Sequence, residues 1–140
     1  MFVLPEKYLN WMLDFLDYHM EMEHIQPSKS SVSAGTWIIL KKGQMDVMLR
    51  VVHDYQALND NTIKDHTPVL RQDLILQKIA QAIVLGYINL PDAYYQINVH
   101  LKDIWKTAFK MPFGMFEWLV MPQGLCNALA TWQRFMNWIL

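Results

Sequence analysis

Ala82-Ile83-Val84-Leu85-Gly86-Tyr87-Ile88-Asn89-Leu90, running into Pro91-Asp92-Ala93-Tyr94-Tyr95-Gln96-Ile97, is the stretch whose reading decides the fold. Residues 82–90 are apolar and β-branched, which predicts a buried strand. Pro91-Asp92 then marks a turn. Tyr94 to Val99 reads as either a helical turn or a further strand. Just upstream, Leu70, Leu74, Ile75, Ile79 and Ile83 recur at helical spacing, so a helix and a strand compete for Ala82 and Ile83.

Working outward, the pattern alternates between the two periods. Thr36 to Lys41 and Val47 to His53 read as strands joined by a turn at Lys42-Gly43-Gln44, a hairpin. Thr107 to Met111 and Phe116 to Met121 flank Pro112-Phe113-Gly114, a second hairpin. Leu9, Met12, Leu13, Leu16 and Met20 predict an amphipathic helix from Pro5 to about Glu23, with Pro in its first turn. Gln26 to Ser30 reads as a loop, and Ala57 to Val69 as polar and irregular. Asn127 is placed to cap a last helix with Ala128, Trp132, Phe135, Met136 and Ile139 on one face. That helix carries no stop signal before Leu140, as expected of a fragment.

Composition sets the bounds. A chain of 140 residues, 53% hydrophobic and 18% charged, is one ordinary globular domain. Its one cysteine, Cys126, forms no internal disulfide, and the start lacks the basic and apolar regions of a signal peptide. The expectation is therefore an intracellular chain, in cytoplasm or nucleus, that is not secreted. No uninterrupted apolar run reaches about 18 residues, so no membrane span is expected. A net charge of −1 argues mildly against a dedicated nucleic-acid binder, whose affinity comes from neutralised phosphates. The five histidines, at 19, 24, 53, 66 and 100, show no metal-ligand spacing.

Four blocks then occur in a telling order. Ile25-Gln26-Pro27-Ser28-Lys29-Ser30 is similar to Ile-Arg-Pro-Ser-x-Ser. Arg50-Val51-Val52-His53-Asp54-Tyr55-Gln56-Ala57-Leu58-Asn59 is similar to Arg-x-x-Val-Asp-Tyr-Arg-x-Leu-Asn. Ile88 to Ile97 is similar to Leu-Asp-Leu-x-x-[Gly/Ala]-Tyr-x-Gln-Ile. The fourth runs Lys106-Thr107-Ala108-Phe109, then Phe113-Gly114, then Leu119 to Leu125 with Asn127-Ala128. Together they resemble the fingers and palm of the reverse transcriptases of gypsy-type LTR retrotransposons, the RNA-directed DNA polymerases of Pol polyproteins.

The resemblance implies an α+β fold: a partial polymerase right hand, with a fingers β-hairpin and an incomplete palm of small antiparallel sheet and packed helices. It implies a single domain divided into a leading helix (1–24), mainly fingers (25–81) and partial palm (82–140). It implies nucleotidyl transfer to a primer 3′-hydroxyl, with an RNA or DNA template-primer and a deoxynucleoside triphosphate as partners and two Mg²⁺ ions held by palm carboxylates. Lys41 or Lys42, with Arg50, would hold the triphosphate. Asp92 and Ala93 would offer backbone N–H groups to phosphate, Tyr94 would gate against a ribose 2′-hydroxyl, and Gln123 would pack near the sugar.

Two departures point to an inactive chain. Asn89 stands at the first catalytic Asp, where a neutral amide replaces a charged metal ligand. The Tyr-x-Asp-Asp hairpin lies beyond Leu140. Gln26, Gln56 and Asn89 each differ from the family residue by a change that a single G-to-A transition produces. An open palm face would make the chain aggregation-prone or dependent on a protein partner, and co-option as a protein-interaction module is the alternative function. Cys126 reads as an ordinary small buried residue. Tyr95 reads as packing, and Trp11, Trp118, Trp132 and Trp138 as candidate stacking platforms for bases, with Trp132 better placed in the core.

Overall fold

The computed structural model describes residues 6–42, 47–68 and 71–139. Helix α1 spans Glu6–Glu21, followed by strands β1 (Ile25–Pro27), β2 (Thr36–Lys42) and β3 (Val47–His53). Helices α2 (Gln56–Asp60) and α3 (Gln72–Ala80) come next, then 3-10 turns at Ala93–Gln96 and Ile104–Thr107. Strands β4 (Phe109–Met111) and β5 (Gly114–Trp118) lead to helix α4 (Ala128–Ile139). The architecture is α+β.

The β2–β3 hairpin pairs antiparallel from Thr36↔His53 to Lys42↔Val47, as the alternating pattern predicts. Its turn at Gly43-Gln44 lies outside the described residues. A three-stranded antiparallel sheet has the order β1-β5-β4. The hairpin is tied to it at Ala34, whose N–H donates to Ala108 O at 2.7 Å and whose carbonyl accepts from Lys110 N at 3.1 Å. Where the sequence reads as a loop, β1 pairs with Phe116–Trp118. Pro27 is compatible because β1 lies at the edge of that sheet, with no second neighbour among the described residues to receive an N–H.

The core gathers Met12, Leu16, Ile25, Tyr55, Phe109, Met111, Trp118 and Val120. Along α1 the buried stripe is Met12, Leu16 and His19, while Leu13 and Met20 face water, so the inner face is rotated from the predicted one. The rotation follows from the neighbours: His19 packs edge-on to Trp118 and Tyr95. Among the last helix's predicted core residues, Ala128 is buried, Trp132, Phe135 and Met136 are half-buried, and Ile139 is exposed.

Three expectations are overturned here. Residues 82–90 form no strand: they are irregular and exposed, Ile83 wholly so at 101% and Tyr87 at 87%. An apolar segment becomes a strand only against an edge that satisfies its N–H and C=O groups, and no strand among the described residues pairs with it. The competing helix ends at Ala80, so Ala82 and Ile83 join neither element. Residues 56–60 are helical rather than irregular. The Asn127 side chain does not cap α4: its Oδ1 accepts from Asp65 N at 2.9 Å and its Nδ2 donates to Ile63 O at 2.8 Å, although its carbonyl accepts the first helical bond, from Thr131 N.

Candidate nucleotide cleft

Two backbone pairings build the site. Val99 N donates to Leu119 O at 2.8 Å, and Met121 N donates to Ile97 O at 2.7 Å. Residues 97–99 thus run antiparallel to 119–121, with a bridge at Asn98↔Val120. The segment before 97 and the segment after 121 are therefore brought face to face. Between them opens a cleft of about 260 Å³ lined by Leu90, Asp92, Ala93, Tyr94, Tyr95 and Gln123.

Asp92 turns the chain into this cleft with φ 51° and ψ 36°, the left-handed region. Asp tolerates it better than most residues, and such strain concentrates at functional sites. Tyr94 meets the indole of Trp132 edge-on, with ring centroids 6.3 Å apart. Tyr95 packs inward, stacked on Trp118, and burial pushes its phenol up to about 12.

Arg50, on β3, reaches the same place from the hairpin, its Nη2 donating to Gln123 Oε1. The two line a second cavity of about 190 Å³ walled by Trp11, Phe15, Tyr95 and Trp118. Five of the residues singled out in the sequence, Arg50, Asp92, Ala93, Tyr94 and Gln123, thus converge. Asn89 is exposed and lines neither cavity. The side chains of Lys41 and Lys42 lie outside the described residues. Their backbone places them at the far end of the hairpin, paired with Met48 and Val47.

The sequence reading misplaced two residues and missed three. Trp118, only 2% exposed, is core and no platform for a base. Cys126 is exposed, because its backbone N–H is drawn onto Asn59 Oδ1 at 2.8 Å. The three missed are the roles of Asn59, His19 and His24, since polar residues bonding across the fold leave no periodic signal.

The donor set does not fit a pair of Mg²⁺ ions. Position 89 offers a neutral amide, and among the described residues no three His, Cys, Asp or Glu side chains converge on one point; such ions need clustered anionic oxygens.

The family model for reverse transcriptase (RNA-dependent DNA polymerase) matches residues 39–140. The chain belongs to the reverse transcriptase family. It is 41% identical over 118 residues to the Retrovirus-related Pol polyprotein from transposon 297 of Drosophila melanogaster, covering 83% of this chain and 11% of the polyprotein. It is 38% identical over 96 residues to an RNA-directed DNA polymerase homolog of Oenothera berteroana, covering 69% of this chain and 68% of that protein. The Pol polyprotein from transposon gypsy of Drosophila melanogaster matches at 33% over 119 residues, 83% of this chain and 12% of that polyprotein. The chain thus spans only about a tenth of the transposon polyproteins it matches. Among solved structures, a prototype foamy virus protease-reverse transcriptase superposes with TM-score 0.82 at 19% identity, over 99% of this chain and 18% of the viral one. The same viral protein in complex with RNA/DNA hybrid superposes with TM-score 0.80 at 16% identity, over 99% of this chain and 18% of the viral one. The reverse transcriptase fold is therefore the polymerase right hand, represented in part. Among the described residues no helix is long and apolar enough to cross a membrane.

Proposed function

We propose that this reverse transcriptase chain is a fingers-and-palm segment that binds deoxynucleoside triphosphate and template-primer weakly and transfers no nucleotide. Its leading segment, 1–24, carries helix α1 (Glu6–Glu21); 25–81 form mainly its fingers and 82–140 its partial palm. The observation that carries the reading is the Arg50–Gln123 bond, which joins the hairpin to the cleft lined by Asp92, Ala93 and Tyr94. A guanidinium there supplies charge to a triphosphate. The backbone at Ala93 offers N–H to phosphate, Tyr94 closes the sugar side, and Lys41 or Lys42 adds charge from the hairpin. Asn89 supports inactivity, since a metal pair beside a triphosphate needs a carboxylate at that point.

Two measurements test this. The first is the affinity for a fluorescent deoxynucleoside triphosphate, where Arg50→Ala should weaken binding roughly tenfold or more, the loss of a charged hydrogen bond. The second uses chimeras that join this chain to the downstream palm of the transposon 297 relative. The Asn89→Asp chimera should extend a primer on RNA with Mg²⁺, and the unaltered one should not. Extension by both would sink the inactive reading.

A second reading, a co-opted protein-interaction module, draws on the exposed apolar residues Ile83, Val84, Tyr87 and Ile88. A salt-insensitive protein complex would favour it. Nucleic-acid affinity that falls steeply with salt favours the first.

A further inference from the structure

Helix α2 follows β3 almost directly, so Arg50 and Asn59 belong to one continuous segment, and both reach the loop 123–126. Asn59 Nδ2 donates to Gly124 O at 2.8 Å, and Cys126 N donates to Asn59 Oδ1 at 2.8 Å. A single amide thus satisfies one acceptor and one donor of the loop. Between these two bonds Gly124 holds φ +101°, where a Cβ would meet the Tyr55 ring at 3.6 Å and His53 O at 3.8 Å. The loop therefore lies flat on the β3–α2 junction, and the residue immediately before Gly124 is Gln123.

We propose that Asn59 is a positioning residue for the cleft. By clamping Gly124 and Cys126 it fixes the backbone from which Gln123 meets Arg50, and so sets the affinity for nucleotide. The inference rests on the nucleotide reading of the cleft. The chemistry demands an amide: a carboxylate accepts from Cys126 but has no N–H for Gly124, and an apolar side chain does neither. Asn127 provides a built-in comparison. Its amide makes the same kind of paired bond, to Ile63 O and Asp65 N, and accepts from the Cys126 thiol at 3.5 Å, but it bonds no backbone group between Gln123 and Cys126 and lines neither cavity that holds Gln123.

The test compares Asn59→Leu, Asn59→Asp and Asn127→Leu in the full chain. Three readouts are taken: thermal melting, exchange of the Cys126 amide proton by NMR, and displacement of a fluorescent nucleotide by dTTP. In Asn59→Leu the Cys126 amide should exchange faster and dTTP should bind roughly tenfold more weakly, as expected for two lost hydrogen bonds. Asn59→Asp, which keeps the Cys126 acceptor, should retain slow exchange and still lose affinity; it also serves if Asn59→Leu fails to fold. Asn127→Leu should lower the melting temperature while leaving dTTP affinity within about twofold, a change of under half a kcal/mol. Parent-like dTTP binding in the Asn59 variants overturns the positioning role. So does an equal loss in Asn127→Leu, or an unmoved Cys126 amide in a folded Asn59→Leu. A parent chain that binds no dTTP sinks the nucleotide reading itself, and this inference with it.

Discussion

Nδ1 of His19 lies 3.0 Å from Nδ1 of His24, joining the end of α1 to the start of β1. One ring must donate and the other accept, so the pair is at ease with at least one neutral imidazole. Around it stand Tyr18, Tyr95 and Trp118, which offer rings and little water.

Acid should therefore loosen the fold well above the carboxylate range. Burial, with His24 nearby, lowers His19 to about 4, and burial, with His19 nearby, lowers His53 to about 3. Both groups titrate near 6.5 when unfolded. Between those values the unfolded chain binds more protons, so stability falls as pH drops below 6.5 and continues falling to the folded values. By pH 5 each histidine should cost on the order of 2 kcal/mol. Melting scans from pH 7.5 to 5 check the slope. His53→Val, which keeps the contact with Phe109 at the cost of the Thr36 bond, should flatten it. A pH-independent melt in the parent would refute the expectation.

Trp118 should be the costliest residue to truncate. It is buried, stacks on Tyr95 with centroids 5.3 Å apart and planes 15° from parallel, and touches Phe109 and His53. Trp118→Ala should cost about 3–5 kcal/mol, the usual range for a large buried aromatic. Trp118→Phe should cost much less, because the buried indole Nε1 has no hydrogen-bond partner among the described residues and its removal relieves a penalty of about 1–3 kcal/mol. Denaturant unfolding of the two variants separates ring packing from the stranded N–H.

These two residues also show what the sequence could carry. The hairpins were legible because period-two alternation and turn chemistry are local, as at Trp37 and Ile39 or at Phe113-Gly114. Five residues that line the two cavities were singled out because their types recur in a known order. What depends on a distant partner was not. Ile83 to Ile88 look like a strand, but a strand exists only when an edge meets it. Pro27 looks like a loop, but an edge strand tolerates it. Asn127 looks like a cap, but its amide is spent on Ile63 and Asp65. Trp118 and Cys126 exchanged their expected exposures for the same reason, since burial is decided by what the chain folds against.

The exposed stretch 83–88 should govern solubility without governing stability. Ile83, Val84, Tyr87 and Ile88 are all at least 85% exposed, forming an apolar run of the kind that drives association. Ile83→Lys with Tyr87→Ser should raise the concentration at which light scattering reports aggregation. The melting temperature should move by no more than about 0.5 kcal/mol implies, as for other exposed positions. A large loss of stability in that double variant would mean these side chains pack against the fold.

Glu117 offers a route to stabilisation. It is buried in β5, where Gln26 Nε2 donates to its Oε1 at 2.7 Å and Ser28 Oγ to its Oε2 at 2.5 Å. Both donors are neutral, whereas the related motif has Arg at position 26. Gln26→Arg would replace an amide N–H with a guanidinium on the same cross-strand pair, Gln26↔Glu117. The bonds to the carboxylate are already assisted by its charge; a guanidinium adds the opposite charge and meets the carboxylate with two N–H groups. Because position 26 is exposed, solvent screens much of the gain, and the expected stabilisation is about 0.5–1 kcal/mol. The comparison is made by melting at low and high salt: Gln26→Arg should melt higher than the parent, and the difference should shrink as salt rises. Glu117→Gln in the same background should abolish the gain. Persistence of the gain in that double variant would place its origin in packing of the arginine stem, not in the ion pair.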